Sequence, residues 1–117
     1  MTLKEFYETI GADYQSTLLR MGNSERIVDK FVRKYPNEKV VAMLKESFDA
    51  KDYETAFRLA HTLKGLCANL GFSKLQKVSS ELTEGLRDHV ADNAPELLEQ
   101  VLQIHAEIIA ALEKLDT

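Results

Sequence analysis

Hydrophobic side chains recur at three- and four-residue intervals along almost the whole 117-residue chain. This spacing places them on one face of an α-helix and predicts a series of amphipathic helices. Short loops between such helices favour antiparallel packing, which buries the apolar faces together. We therefore predict an all-α fold with a single domain over residues 1–117. It comprises an antiparallel four-helix bundle over about 23–116 and a short additional N-terminal helix over 2–10.

Local signals mark the helix boundaries in the first third of the chain. Thr2 and Glu5 have the spacing of a capping box, in which each side chain satisfies the other residue's backbone donor. The segment 14–22 is expected to be a connection with partial helical character. Asn23 or Ser24 can cap the helix that follows. The buried positions predicted for that helix are Ile27, Val28, Phe31 and Tyr35.

Further signals divide the remainder of the chain. Pro36 lacks a backbone donor, so it either separates two helices or bends one, and the pattern fits both equally. Asp52 can cap a long helix that stops at Gly71. Residues 73–76 have a second capping-box spacing and predict the start of the next helix. Pro95 is typical of the first turn of the last helix.

The long helix predicted to end at Gly71 has two chemically different faces. On a helical wheel, His61 lies about 120° from the middle of the apolar face, so we expect it to face solvent or a groove. Its surface neighbours at three, four and seven residues are Lys64, Gly65 and Ala68. The residues of the apolar face are Tyr53, Ala56, Phe57, Ala60, Leu63, Cys67 and Leu70.

The residues beside His61 are suited to phosphate chemistry on the imidazole. A glycine inside a helix costs about 1 kcal/mol relative to alanine, so Gly65 requires a reason. The reason we favour is room for a bulky group on His61, or for a partner's backbone. Lys64 supplies a compact ammonium for phosphoryl oxygens. Taken singly, His61 could be an ordinary surface histidine and Gly65 a tolerated accident.

The motif H-T-L-K-G at 61–65, followed by A-N-L-G at 68–71, resembles the signature of the histidine-containing phosphotransfer (HPt) family. The resemblance extends from about Tyr14 to Arg87. It implies that His61 is phosphorylated, that Lys64 supports the phosphate and that Gly65 leaves space.

The resemblance also concerns the helix that follows. Some family members place a glutamine there to hydrogen-bond the histidine, and the matching residue in this chain is Thr83. Arg87 stands where some members carry an arginine near the phosphate. At about 1.5 Å per residue, the length of helix from Gly71 to Thr83 is similar to the length from His61 to Gly71. Antiparallel packing would therefore bring Thr83 and Arg87 toward His61, with Ala68 as a further supporting residue.

The resemblance implies a phosphocarrier rather than an enzyme. His61 would accept a phosphoryl group from the aspartate of a response-regulator receiver domain and pass it to another receiver. A hybrid sensor histidine kinase is a further candidate partner. We expect no cofactor in this chain, because the Mg²⁺ would belong to the receiver. An ordinary histidine pKa near 6.5 leaves the ring neutral and nucleophilic at physiological pH.

Two other classes of function are compatible with a helical bundle. A docking module that acts by binding alone would need no reactive histidine, and the motif at 61–65 argues against it. A metal-binding bundle is disfavoured because no histidine follows a glutamate by three residues and Cys-x-x-Cys is absent. The chain also lacks a P-loop and a dinucleotide fingerprint, so we expect no nucleotide site and no kinase activity of its own.

Charge and composition limit the possible partners. The net charge of −4 argues against nucleic-acid binding, which normally needs a basic surface. Residues 20–39 are mildly basic and residues 81–117 are acidic. If the basic segment lies beside His61, it steers an acidic partner toward the histidine; otherwise both segments are ordinary solvated helix faces. No membrane-spanning run or signal peptide is visible, and the single cysteine, Cys67, permits no internal disulfide. We expect a cytoplasmic monomer that does not bind membranes.

Overall fold

A computed structural model describes residues 1–116, and these residues form helices and no strands. The predicted all-α class is confirmed. The α-helices are α1 (Leu3–Thr9), α2 (Tyr14–Arg20), α3 (Glu25–Lys34), α4 (Val40–Asp49), α5 (Tyr53–Leu70), α6 (Ser73–Gly85) and α7 (Ala94–Leu112), with a 3₁₀ turn at Tyr35–Asn37 between α3 and α4.

Helices α4 to α7 pack around a shared apolar core. α5 packs against α4 and α6, α6 packs against α7, and α7 also contacts α4. The shorter helices α1 to α3 contact one another, and α1 and α3 also pack on α7 and α5. Large side chains fully inside the core include Phe6, Leu44, Phe72, Leu82 and Ile108. None of the described helices is both long enough and apolar enough to cross a bilayer.

Several of the predicted helix starts are confirmed by hydrogen bonds. The Thr2 hydroxyl accepts from the Glu5 amide at 3.2 Å, and the Glu5 carboxylate accepts from the Thr2 amide at 2.9 Å. Ser24 caps α3, and the Asp52 carboxylate caps α5 by accepting from the Thr55 amide at 3.3 Å. These side chains satisfy amides that the first turn of a helix cannot pair internally.

Other boundaries differ from the predictions. Residues 14–20 form a complete helix, because the Asp13 carboxylate accepts from the Ser16 amide and caps it. Pro36 separates two helices rather than bending one. The second capping box is wrong, since Ser73 already lies inside α6 and the preceding Phe72 provides no side-chain cap. The buried ring of Phe72 anchors this helix start instead.

The buried face of α3 was predicted only in part, since Val28 and Tyr35 are buried as expected but Ile27 and Phe31 are not. Ile27 and Phe31 are 41% and 46% exposed, whereas Val28, Val32 and Tyr35 are buried. Positions 28, 32 and 35 form one stripe along the helix, and positions 27 and 31 form the neighbouring stripe about 100° away. Both stripes are apolar in sequence, and only one of them faces the core.

The C-terminal end of α5 is fixed by side chains from α1 and α2. The Tyr7 hydroxyl donates to the Leu70 carbonyl at 2.6 Å, and the Arg20 guanidinium donates to the Ala68 carbonyl at 2.9 Å. Gly71 ends the helix with a φ of 74°, and a Cβ there would overlap the Thr17 hydroxyl. The last carbonyls of α5 thus receive the partners that a helix end otherwise lacks.

Candidate functional site

His61 lies in the middle of α5 with its side chain exposed to solvent. Ala60, Leu63 and Cys67 on the opposite face are fully buried. The helical wheel therefore gave the correct orientation. Because α5 is anchored along its length by this buried face, the imidazole projects from a rigid support and can be reached from outside.

Gly65 lies one turn after His61 and is also exposed. A Cβ built on Gly65 meets no heavy atom within 4 Å, so it would stand in open space. Packing within the chain therefore gives no reason for a glycine at this point of α5. A glycine inside a helix costs about 1 kcal/mol relative to alanine, and no contact at Gly65 offsets this cost.

Lys64 and Ala68 are half-buried on the same helix. Lys64 is three residues from His61, so the two side chains are neighbours on the helix surface. Ala68 lies two turns after His61 on the same side of α5, and its small side chain adds little bulk there. A cation is therefore beside the histidine, and a small residue lies further along the same face.

Arg87 approaches α5 from the end of α6. Its guanidinium lies 5.3 Å from the centre of the Phe57 ring, and Phe57 is one turn before His61. Arg87 also donates two hydrogen bonds to Glu84, at 2.9 and 3.1 Å. This interaction lowers the pKa of Glu84 and raises that of Arg87. Arg87 therefore contacts α5 one turn before His61 and is already paired with Glu84.

Glu84 is a residue of this surface that the sequence analysis missed. Besides Arg87, its carboxylate feels the positive charge of Lys64, which also lowers the pKa of Glu84. The three-residue spacing between Glu84 and Arg87, at the end of a predicted helix, was the signal that could have identified the pair. We call the surface formed by Lys64, Glu84 and Arg87 the α6 flank of the site.

Thr83 lies inside the core rather than at the site surface. It is fully buried, and its hydroxyl donates to the Ser79 carbonyl one turn earlier at 2.7 Å. Its only hydroxyl proton is used within α6, so it donates no hydrogen bond to His61. The predicted match in level between Thr83 and His61 along the two helices does not bring them together, because the Thr83 side chain points into the core.

The side of α5 that faces α3 borders a groove of about 640 Å³. Leu66 and Asn69 of α5 line it on one side, and Phe31 and Lys34 of α3 line it on the other. Arg20 also lines the groove, and the Lys34 ammonium lies 5.8 Å from the centre of the Phe31 ring. We call the surface formed by Arg20, Phe31 and Lys34 the α3 flank. Part of the basic segment 20–39 is thus beside α5.

Comparison with known families gives an independent assignment. The family model described as the Hpt domain matches residues 28–116, which is more than half of the chain. The chain belongs to the Hpt domain family. The match begins later than Tyr14, where the resemblance was placed, and it continues past Arg87 to include α7. No curated protein and no solved structure matches the chain.

Hpt domains are helical bundles that carry phosphoryl groups on histidine in phosphorelays. In this Hpt domain Cys67 is buried, and burial raises the pKa of its thiol to about 12. The thiol therefore remains protonated and cannot act as a nucleophile beside His61. Within residues 1–116, no group of three or more His, Cys, Asp and Glu side chains is placed to hold a metal ion.

Proposed function

We propose that His61 accepts a phosphoryl group from the aspartyl phosphate of one receiver domain and passes it to the aspartate of another. The observation that carries this proposal is the exposed imidazole at mid-helix, next to a glycine whose missing side chain leaves open space. The donor is the receiver of a response regulator or of a hybrid sensor histidine kinase.

The transfer is a displacement at phosphorus in which atoms and charge balance. The lone pair of a neutral imidazole nitrogen attacks the phosphorus, the bond from phosphorus to the aspartate oxygen breaks, and the carboxylate leaves. The receiver's Mg²⁺ neutralises charge on the phosphoryl oxygens. Lys64 supplies positive charge from the His61 side, and the same steps run in reverse toward the second receiver.

The exposure of the site suits a carrier that must release its cargo. Charge interactions at exposed positions contribute roughly 0.2–1 kcal/mol, because water screens them. Lys64 and Arg87 therefore stabilise the phosphohistidine only modestly. A deep anion pocket would hold the phosphoryl group too tightly for transfer onward.

The α3 flank provides a surface on which a receiver can dock. Phe31 is 46% exposed and offers apolar area to a partner, while Arg20 and Lys34 add positive charge beside it. Receiver active sites are acidic, because they coordinate Mg²⁺ with carboxylates. Complementary charges on the two proteins raise the rate of association.

The direct experiment is to incubate the protein with phosphorylated receivers and to look for an acid-labile, base-stable phosphate. His61→Gln should abolish phosphate uptake and leave the helical circular-dichroism signal unchanged. His89→Gln is the matched control, since His89 is also exposed but lies beyond the end of α6. Uptake that persists in His61→Gln would contradict the proposal, whatever the result for His89→Gln.

A further inference from the structure

Glu84 and Arg87 form an ion pair at the C-terminal end of α6, beside the helix that carries His61. Arg87 lies against Phe57, one turn before His61, and α6 packs along α5. These two observations place the pair on the side of α5 that faces α6, where the positive charge of Lys64 also lowers the pKa of Glu84. Phe57 and Lys64 also point to this side of the helix.

The pair is positioned to be broken and re-formed. Its two side chains are 48% and 60% exposed, and Arg87 lies three residues after Glu84, just beyond the end of α6. Ion pairs of this kind are weak, because each partner is well solvated when it is released. A phosphoryl group on His61 brings about two negative charges beside Arg87 and Lys64, which exceeds the single charge on Glu84.

We propose that Glu84 is a positioning residue that competes with the phosphoryl group of His61 for Arg87 and Lys64. In the unphosphorylated protein Glu84 holds the Arg87 guanidinium over Phe57. After phosphorylation the cations turn toward the phosphoryl oxygens and leave Glu84 as an unpaired negative charge nearby. Its repulsion raises the free energy of the phosphohistidine, which favours transfer onward. This inference rests on the proposed function of His61.

The test uses phosphoramidate, a small donor that needs no receiver. Attack by the imidazole breaks the P–N bond of phosphoramidate, forms the N–P bond on the histidine and releases ammonia. The phosphohistidine lifetime is then followed by ³¹P NMR or intact-protein mass spectrometry. Glu84→Gln removes the charge and preserves the shape. Glu99→Gln, at an exposed site on α7, makes the same change in net charge and serves as the control.

We expect Glu84→Gln to lengthen the lifetime about two- to fivefold, the range for exposed charge interactions, with no change in Glu99→Gln. The gain should disappear in 1 M salt, where the Debye length is about 3 Å. It should also shrink in the Arg87→Gln background, because Glu84 acts partly through Arg87. A lifetime in Glu84→Gln that equals or falls below that of Glu99→Gln would overturn the proposal.

The same assay separates this inference from the proposed function. If phosphoramidate does not label His61, the proposed function is contradicted and this inference falls with it. If His61 is labelled and Glu84→Gln gives the same lifetime as Glu99→Gln, the role of Glu84 is contradicted and the proposed function of His61 stands.

Discussion

The two flanks of the His61 surface carry their charges differently. On the α6 flank the Arg87 guanidinium is bonded twice to Glu84, and Lys64 lies close to the same carboxylate. On the α3 flank Lys34 lies over the exposed Phe31 ring beside an open groove. Charges that are paired with a carboxylate of the chain can tune the histidine. Lys34 forms no ion pair within residues 1–116 and is therefore the cation of the α3 flank that is available to a partner. Changes on the α6 flank should thus affect phosphohistidine lifetime, and changes on the α3 flank should affect association.

The largest effect is expected between the flanks, at Gly65. Gly65→Leu should slow transfer from a phosphorylated receiver about 100-fold or more, because the side chain keeps the reacting groups apart. Labelling by phosphoramidate should fall much less, since this donor is small. The variant should remain folded, because a Cβ at residue 65 meets nothing in the chain.

The control for Gly65→Leu is Ala106→Leu, which adds a leucine at an exposed position of α7. Both proteins are compared by circular dichroism and by single-turnover transfer assays. A Gly65→Leu protein that transfers at the wild-type rate would show that the open space has no part in docking.

A smaller effect is expected on the α3 flank. Lys34→Glu should lower the second-order rate constant for transfer from a receiver about tenfold at low salt, because it reverses one charge of the docking surface. The difference in rate constant between Lys34→Glu and the wild type should narrow at high salt. The phosphohistidine lifetime should be the same in the two proteins. Lys114→Glu, near the end of the chain, provides the same charge change away from α5. Equal slowing by the two variants would remove the distinction between the flanks.

On the α6 flank Lys64→Ala should shorten the phosphohistidine lifetime about two- to fivefold, since it removes an adjacent positive charge. Association with the receiver should change less than in Lys34→Glu. The lifetime is measured after phosphoramidate labelling, and the rate of association is measured by stopped flow. Unchanged kinetics in both directions would contradict the role of Lys64.

The smallest effect concerns stability beneath the α3 flank. The Tyr35 hydroxyl is 2.6 Å from His105 Nδ1, and burial lowers the pKa of His105 below its ordinary value near 6.5. The unfolded chain therefore binds a proton on His105 more readily than the folded chain does. The neutral His105 side chain thus makes a contribution to stability that is complete above about pH 6.5. It is lost as the pH falls through the lower pKa of the folded protein.

We expect the free energy of unfolding to fall by about 1 kcal/mol or less from this source between pH 7 and pH 5. Urea denaturation of the wild type and of His105→Gln at several pH values measures the difference. The variant should show a flatter pH dependence in this range. Parallel curves for the two proteins would show that the Tyr35–His105 pair does not sense pH.

The sequence correctly predicted features in which a residue meets a well-defined local requirement of a helix. The caps at Thr2 and Asp52 and the glycine stop at Gly71 were predictable, because each satisfies a known need of a helix end. The outward direction of His61 followed from helical periodicity alone. These features depend on neighbours within a few residues.

Features that depend on packing between helices were less predictable. Ile27 and Phe31 form an apolar stripe as regular as the buried one, and only the tertiary fold shows which stripe faces the core. Thr83 was expected at the correct level along α6 but faces inward. Glu84 was overlooked because its proposed role depends on Lys64, which belongs to a different helix, α5.

The most direct test of the central claim is to locate the phosphate. The protein is exposed to a phosphorylated receiver and digested at alkaline pH, and the modified residue is identified by tandem mass spectrometry. The account predicts phosphate on His61, with His89 and His105 unmodified. Phosphate on another residue, with His61 unmodified, would contradict it.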